Sequence, residues 1–496
     1  MLHIGYAWLK ENLQIQSEPL LTICLQGREN KIFVNENGIE VLYFGPKYTP
    51  TDDPMAHLEF AFKYELLNLS LLHQIFSKIA VTTIIPFIKN RPSGINTRKI
   101  GFLFEFLTKQ TLNLDFTIGG KYIPILDESK YLTGKTINDE KWRIKNNLLG
   151  LPDFCPLVFK TKSIQSAMDF DVSKSLLVFQ EKYNPSVYRR AFSYLYTKET
   201  KSSFEIEREK PSQNKMERFV LLLTKAGIES DSLFLSEQSL TDKQNKIVDA
   251  RFASIGWRDF QNYIGETLPD YAQLVHYICP HPTEVKPMME GLNNCFQKSK
   301  DNNAIIVATL IAFGFVFIHP FDDGNGRLHR YLIHDILVRK KAVASGTIIP
   351  ISAQMLENIE EYDRILEAYS KPLLSFVQFS LDIEGGLTIQ NPLDVVSYFK
   401  YPNLTQQCEY IFRTLVAAIH KIENELEYLS KYDLLKKQIS NHLDLPDKLL
   451  NNLIIFIHQN NGILSKNKRK QFEILTDDEI ETVEKLYNKV FFAHFS

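Results

Sequence analysis

Twelve residues, His319 to Arg330, concentrate more chemistry than any other stretch of the chain: His-Pro-Phe-Asp-Asp-Gly-Asn-Gly-Arg-Leu-His-Arg. Gly324 and Gly326 let successive backbone N–H groups face one concavity, a nest suited to an anion. The nest opens onto a helix N-terminus, where unpaired donors and the helix dipole favour phosphate. Arg327 and Arg330 are three apart and so share a helix face that can grip a polyphosphate. Asp323 offers a hard oxygen ligand for Mg²⁺, which binds through one or two carboxylates plus substrate phosphates. His319, fixed by Pro320 at the mouth of the loop, is placed to take a proton from an incoming hydroxyl. Together these parts describe nucleotide-dependent transfer of a phosphorus-centred group.

Two helices must position them. Upstream, Asn303 to Ile318 is almost wholly apolar, the pattern of a helix buried on every side. Downstream, Leu328, Leu332, Ile333, Ile336 and Leu337 form one apolar stripe of a second helix, with Arg327, His329 and Arg330 in its first turns. The order helix, loop, helix excludes Rossmann and P-loop elements, which need a preceding strand.

The stretch also resembles, at every defined position, the signature His-Pro-Phe-x-Asp/Glu-Gly-Asn-Gly-Arg-x-x-Arg of Fic (filamentation-induced-by-cAMP) proteins. The resemblance implies a protein AMP transferase that moves AMP from ATP to a Ser, Thr or Tyr hydroxyl. It makes His319 the base, Phe321 a core residue and Asp323 the Mg²⁺ ligand. It makes Asn325 a phosphate contact, Arg327 a β-phosphate contact and Arg330 a γ-phosphate contact, and puts Asp322 on the variable position. Relatives that phosphorylate or attach phosphocholine, and a nucleotide-sensing transcription regulator, are the alternatives.

Three further stretches resemble parts of the family. Val187 to Glu207 reads as a helix closing before Pro211. Its Ser203-x-x-x-Glu207 is similar to an inhibitory motif whose glutamate holds the second motif arginine, although Arg208 stands where Gly or Asn is usual. Tyr263 and Ile264, in one of two strand-like runs between Asp249 and Val285, resemble the flap that aligns the target by strand addition. Asn358 and Tyr362, i and i+4 on one expected helix, resemble positions near the adenine.

Length and composition set the frame. A chain of 496 residues is expected to hold two to four domains. The expected fold is mainly α, with a mixed α/β module at 1–180, a Fic-type helical core with a β-hairpin flap at 181–385, and a winged-helix-like module at 386–496. In the first module, Leu20 to Leu25, Lys31 to Val34 and Ile39 to Phe44 read as strands around Asn37-Gly38, and Asn96 stands near the cap of a helix reaching Thr111. Gly385-Gly386 and Pro392 read as a linker. Beyond it, helices at Thr405 to Leu429, Lys431 to Ser440 and Pro446 to Asn460 precede a ribbon of Ile463-Leu464 and Phe472 to Ile474 around a basic tip. A net charge of −2 gives no general attraction to nucleic acid or an anionic membrane, so protein docking is favoured over DNA binding for that module. Five scattered cysteines suit a reducing, cytoplasmic setting, and neither a signal peptide nor a membrane span is read. The expected partner is a protein with a hydroxyl side chain; self-modification and a homodimer stay open.

Overall fold

The computed structural model describes residues 2–34, 40–269, 272–382 and 384–492. The protein is mainly helical, and among the described residues the strands form four small sheets. The helix Ala304–Ile318 runs through the middle of the central core. Asn303 caps it, its Oδ1 accepting from the Ile305 N–H at 2.9 Å, and every residue from Ile305 to Ile318 is buried. Each fully buried large apolar side chain there contributes about 1.5–3 kcal/mol, so this helix anchors whatever hangs from its end. The motif helix, Asn325–Arg339, packs along it and buries its own apolar stripe.

Among the described residues there are three large apolar cores and a small one of Ile4, Cys24 and Phe60. The first gathers residues from Tyr6 to Leu157, the second runs from Leu132 to Leu426, and the third joins Leu435 to Val490. Ile164, Ala167, Leu176 and Phe179 pack into the central core, as do Leu387, Val395 and Leu415. The first two interlock in sequence, since Cys155, Leu157 and Tyr401 join the N-terminal core while Leu132, Leu149 and Phe154 join the central one, and the third begins near 430.

In the N-terminal module, Thr22–Gln26 pairs in parallel with Glu40–Phe44, which pairs antiparallel with Lys31–Val34. The expected turn at Asn37-Gly38 lies outside the described residues. The helix Ile95–Thr108 is capped by Gly94, so Asn96 lies within it rather than at its cap. No single helix among the described residues is long and apolar enough to cross a membrane; the pair Leu69–Lys78 and Val81–Asn90, bent by 107°, passes by length and composition only.

Three expectations after the motif are corrected. Gly385-Gly386 is not a linker but lies at the turn of a hairpin, Phe379–Leu381 with Leu387–Ile389, and Pro392 opens the next helix. The stretch from Thr405 to Ser440 is one helix of 36 residues, not two. The ribbon of a winged helix is not formed. Ser465 opens a short helix, Lys466–Arg469, and a 3-10 turn, Lys470–Phe472, follows. Arg469 closes this loop by donating to the carbonyls of Phe472 and Leu475 and to Asp477. The helix Asp477–Phe491 then starts at a capping box of Thr476 and Glu479.

Candidate active site

His319 ends the buried helix in the left-handed region, φ 53° and ψ 60°, which turns the chain out of the helix and into the loop. Arg258, 5% exposed, holds that turn. Its Nε donates to the His319 carbonyl at 2.8 Å and its own N–H to the Pro320 carbonyl at 2.8 Å. Its Nη1 and Nη2 reach the carbonyls of Phe260 and Pro280 at 2.7 and 2.6 Å. One buried guanidinium thus ties the loop to both feet of the hairpin Tyr263–Ile278.

The loop is fixed at several further points. Phe321 is fully buried against Trp257 and Phe315. The Asn325 amide accepts from the Phe321 N–H at 3.1 Å and donates to its carbonyl at 2.9 Å. Both ends of that side chain are engaged by the loop, so Asn325 shapes the nest. Gly324 sits at φ +89°, where a Cβ would also meet Val248 Cγ1 at 2.9 Å; both conditions demand glycine.

His319 Nδ1 lies 3.2 Å from the Val316 carbonyl. A carbonyl only accepts, so Nδ1 carries the hydrogen and Nε2 is the basic atom. Burial, first of all, lowers the imidazole to about 4. The ring is neutral at physiological pH, as a base requires.

Both motif arginines are buried, and both are already held by acids. Arg330, 1% exposed, donates from Nε to Ser203 Oγ at 2.9 Å and from Nη2 to the Ser203 carbonyl and Glu207 Oε1, each at 2.7 Å. Arg327 donates from Nη2 to Asp323 Oδ1 at 2.6 Å and from Nη1 to Glu209 Oε2 at 2.5 Å. Lys215 donates to the other Glu209 oxygen at 2.5 Å. The Glu207 carboxylate reaches further, since a Cβ on Gly326 would lie 2.2 Å from its Oε1. A side-chain anion therefore occupies the mouth of the nest.

The segment that brings these acids is the end of the helix Pro185–Ile206, with Glu207 as its C-cap. The Arg208 N–H donates to the Glu205 carbonyl at 2.9 Å and the Glu209 N–H to the Phe204 carbonyl at 3.1 Å, a Schellman closure. Arg208 occupies its left-handed position with φ 56°. That is the physical reason for a Gly or Asn preference there, and arginine adopts the turn at a cost of about 1 kcal/mol. Arg208→Gly should raise stability by about that amount, read as a higher midpoint of thermal unfolding, with Glu207 still on Arg330.

Residues 234–337 match the family model described as Fic/DOC family. The chain carries a Fic domain. Among solved structures it is similar to a Fic family protein from Desulfovibrio desulfuricans G20, with 15% identity and a TM-score of 0.38 over 65% of this chain and 84% of that one. It is also similar to a Fic domain containing signaling protein from Bacteroides thetaiotaomicron VPI-5482, with 17% identity and a TM-score of 0.34 over 51% of this chain and 97% of that one. Likenesses this low carry no argument about this chain. The Fic domain makes it a Fic-type transferase in the general sense. The matched residues start downstream of Ser203 and Glu207 and end upstream of Asn358 and Tyr362.

Beside the Fic loop, Tyr263–Thr267 pairs antiparallel with Gln273–Ile278, with an irregularity between Ile264 and Gly265. Tyr263 is partly buried against the central core, while Ile264 is exposed. Tyr277, on the second strand, is buried and donates to the Phe317 carbonyl. The structure places the two residues of the adenine expectation in different surroundings. Asn358 is exposed and stands at the break between helices Ile351–Glu357 and Ile359–Leu374. Tyr362 is buried, stacks on His329 and sits beside Arg330, so it supports the guanidinium from behind. Sequence reasoning missed Arg258, Glu209 and Lys215.

The Fic loop fits a nucleotide phosphate and Mg²⁺ on the chemistry of its donors. The nest already receives one anion, the Glu207 carboxylate. Asp323 keeps Oδ2 clear of the bonds that Oδ1 makes to Gly324 N–H and Arg327, and its carboxylate is partly exposed. A single carboxylate with phosphates completing the shell is the usual Mg²⁺ arrangement. Asp322 is exposed and outside this network. Asp323→Ala should cost on the order of 10²-fold in transfer, not restored by Mn²⁺, whereas Asp322→Ala should stay active. Rates of the two purified variants, measured with excess Mg²⁺ and then Mn²⁺, check this; equal rates would put the loop assignment out of register.

Proposed function

We propose that the chain transfers AMP from ATP to a Ser, Thr or Tyr hydroxyl of a protein, itself included, and that Glu207 and Glu209 hold it in a braked state. One observation carries the reading: the Glu207 carboxylate lies over Gly326 and bonds Arg330, where an anionic polyphosphate would otherwise be gripped. A chain that keeps an internal anion on an intact anion site is built to have that anion displaced.

The reaction follows from the positions of the groups. His319 Nε2 takes the proton of the target hydroxyl as its oxygen attacks the α-phosphorus. The bond to the bridging oxygen breaks, AMP stays on the target, and pyrophosphate leaves with the electron pair. The N–H groups of Gly324 to Arg327 and the two guanidinium groups receive the charge. Loss of one such preorganised donor typically costs about 10²–10³-fold. Mg²⁺, held by Asp323 and the phosphates, would neutralise charge on the leaving group. Arg258 keeps loop and hairpin feet in one register, so a strand added to Tyr263–Thr267 meets His319 at a fixed offset.

ATP labelled on the α- or the γ-phosphate separates this reading from its rivals. The full chain and its Glu207→Gly variant should take up α-label and no γ-label. Uptake of γ-label would replace AMP transfer by phosphorylation; uptake of neither, with CDP-choline as the working donor, would replace it by phosphocholine transfer.

A further inference from the structure

A cavity of about 430 Å³ lies between the N-terminal and central cores, away from the loop. Tyr6, Glu18 and Glu65 line one side, and Tyr369, Tyr398 and Gln407 the other. Some of its polar atoms are met: Tyr398 donates to the Tyr369 carbonyl at 2.7 Å and Gln407 Nε2 to the Ile365 carbonyl at 3.2 Å. Tyr6 and Tyr369 are each 3% exposed and Gln407 2%. Gln407 Oε1 has no partner among the described residues, and the Tyr6 and Tyr369 hydroxyls have only the Asn68 backbone and the Tyr277 hydroxyl as neighbours, without well-formed bonds. Glu18 Oε1 accepts from Asn68 Nδ2 at 2.9 Å, while Oε2 is unmet. Glu65 Oε1 accepts only one bond here, from the Tyr6 N–H at 2.8 Å.

The charge balance of the lining is one-sided. It holds two carboxylates and, among the described residues, no lysine, arginine or histidine. The Lys10 ammonium beside it is spent on the carbonyls of Ser17 and Glu18. Burying a carboxylate is costly: burial pushes the Glu65 carboxyl up to about 8 and raises that of Glu18, where the nearby Lys10 offsets it only in part. Tyr6, Tyr398 and Tyr401 complete the wall, while the faces of Tyr369 are taken by Phe317 at 3.9 Å and Tyr398 at 4.9 Å. An open tyrosine face attracts a cation through its ring quadrupole. The volume is within the usual range for small-molecule sites, about 300–1,000 Å³.

We infer that this cavity binds a small organic cation, an amine or quaternary ammonium, with its charge against Glu18 and Glu65 and its carbon body on the tyrosine rings. The ligand supplies what the wall lacks, a positive charge and, in an amine, donors for Glu18 Oε2 and Gln407 Oε1. It would also touch the end of the catalytic helix at one remove. The Tyr369 ring stacks on Phe317 at 3.9 Å and 15°, two residues before His319.

Calorimetric titration of the full chain tests this, with tetramethylammonium and putrescine as probes and neopentyl alcohol as the neutral control. Saturable one-site binding of at least one cation, and none of the alcohol, is expected. Glu18→Gln should weaken that binding at least about tenfold, the worth of one modest charge contact. Tyr369→Leu should weaken it comparably while Glu207→Gly leaves it unchanged. Should Glu18→Gln lose its folded circular-dichroism spectrum, Tyr369→Leu carries the test. No saturable heat from either cation, equal binding of the alcohol, or indifference to the folded variants would make this a water-filled cavity and overturn the inference. The readout is binding alone, so its failure leaves the transfer reading untouched.

Discussion

Replacing His319 with alanine in the Glu207→Gly background should cut transfer by about 10²–10⁴-fold, the usual worth of a positioned general base, while ATP affinity stays within a few-fold. The two effects separate because the imidazole serves the hydroxyl, whereas the nucleotide is gripped by the nest and the arginines. The position itself tolerates change. Arg258 holds the His319 backbone carbonyl, which any residue retains, and asparagine accepts the left-handed conformation more readily than alanine. His319→Asn is therefore the second variant, expected to be as inactive and better folded. The base also fixes a pH dependence. Burial holds the imidazole near 4, so it is deprotonated and competent above that value and lost only as pH falls through it. Rates in the Glu207→Gly background should be flat over roughly pH 6–8 as far as His319 is concerned. Calorimetry for ATP and label incorporation for transfer check both halves; normal transfer by a folded His319→Ala chain would remove His319 from the mechanism.

Glu207→Gly should raise self-modification by about 10²-fold, the effect of an α-phosphate misplaced by about 1 Å in the braked state. With the carboxylate gone, Arg330 keeps Ser203 Oγ and the Ser203 carbonyl and gains a free direction towards a phosphate. Adding Arg330→Ala should abolish the gain, which a merely loosened helix would not explain. Glu209→Gln should give a smaller rise. It releases Arg327 from one of two acids, and Asp323 still holds the other side. Glu205→Ala should change nothing, since Glu205 is exposed on another face. Label incorporation by the four chains against the parent measures this. A parent chain as active as Glu207→Gly would mean that the pair of acids does not restrain the site.

The loop was legible in the sequence because its parts are contiguous and their geometry is local: two glycines, a helix start and charges at helical spacing. Glu207 was legible through a spaced motif. Glu209 was not. In Glu207-Arg208-Glu209-Lys210 it reads as one of a run of solvated charges, and only the left-handed turn at Arg208 swings it back to Arg327. Arg258 was equally hidden, because its partners are four backbone carbonyls or loop atoms that carry no side-chain signal. For Asn358 and Tyr362, i, i+4 adjacency presumes one helix, whereas Asn358 with φ −125° lies at the break that opens Ile359–Leu374. The missing ribbon has a similar cause. Short apolar pairs around a basic tip suit two strands, but Arg469 satisfies the carbonyls that would otherwise seek a ladder.

The 36-residue helix Thr405–Ser440 is about 54 Å long at 1.5 Å per residue. Its first two-thirds belong to the central core and its end, at Leu435 and Ile439, to the C-terminal one. Towards its end, Asp433 pairs at 2.6 Å with Arg190, a residue of the helix that ends in Glu207. The C-terminal bundle is thus mounted on a mast rather than tethered by a cord. The continuous helix sets the bearing of that bundle to the central core, as a flexible linker would not.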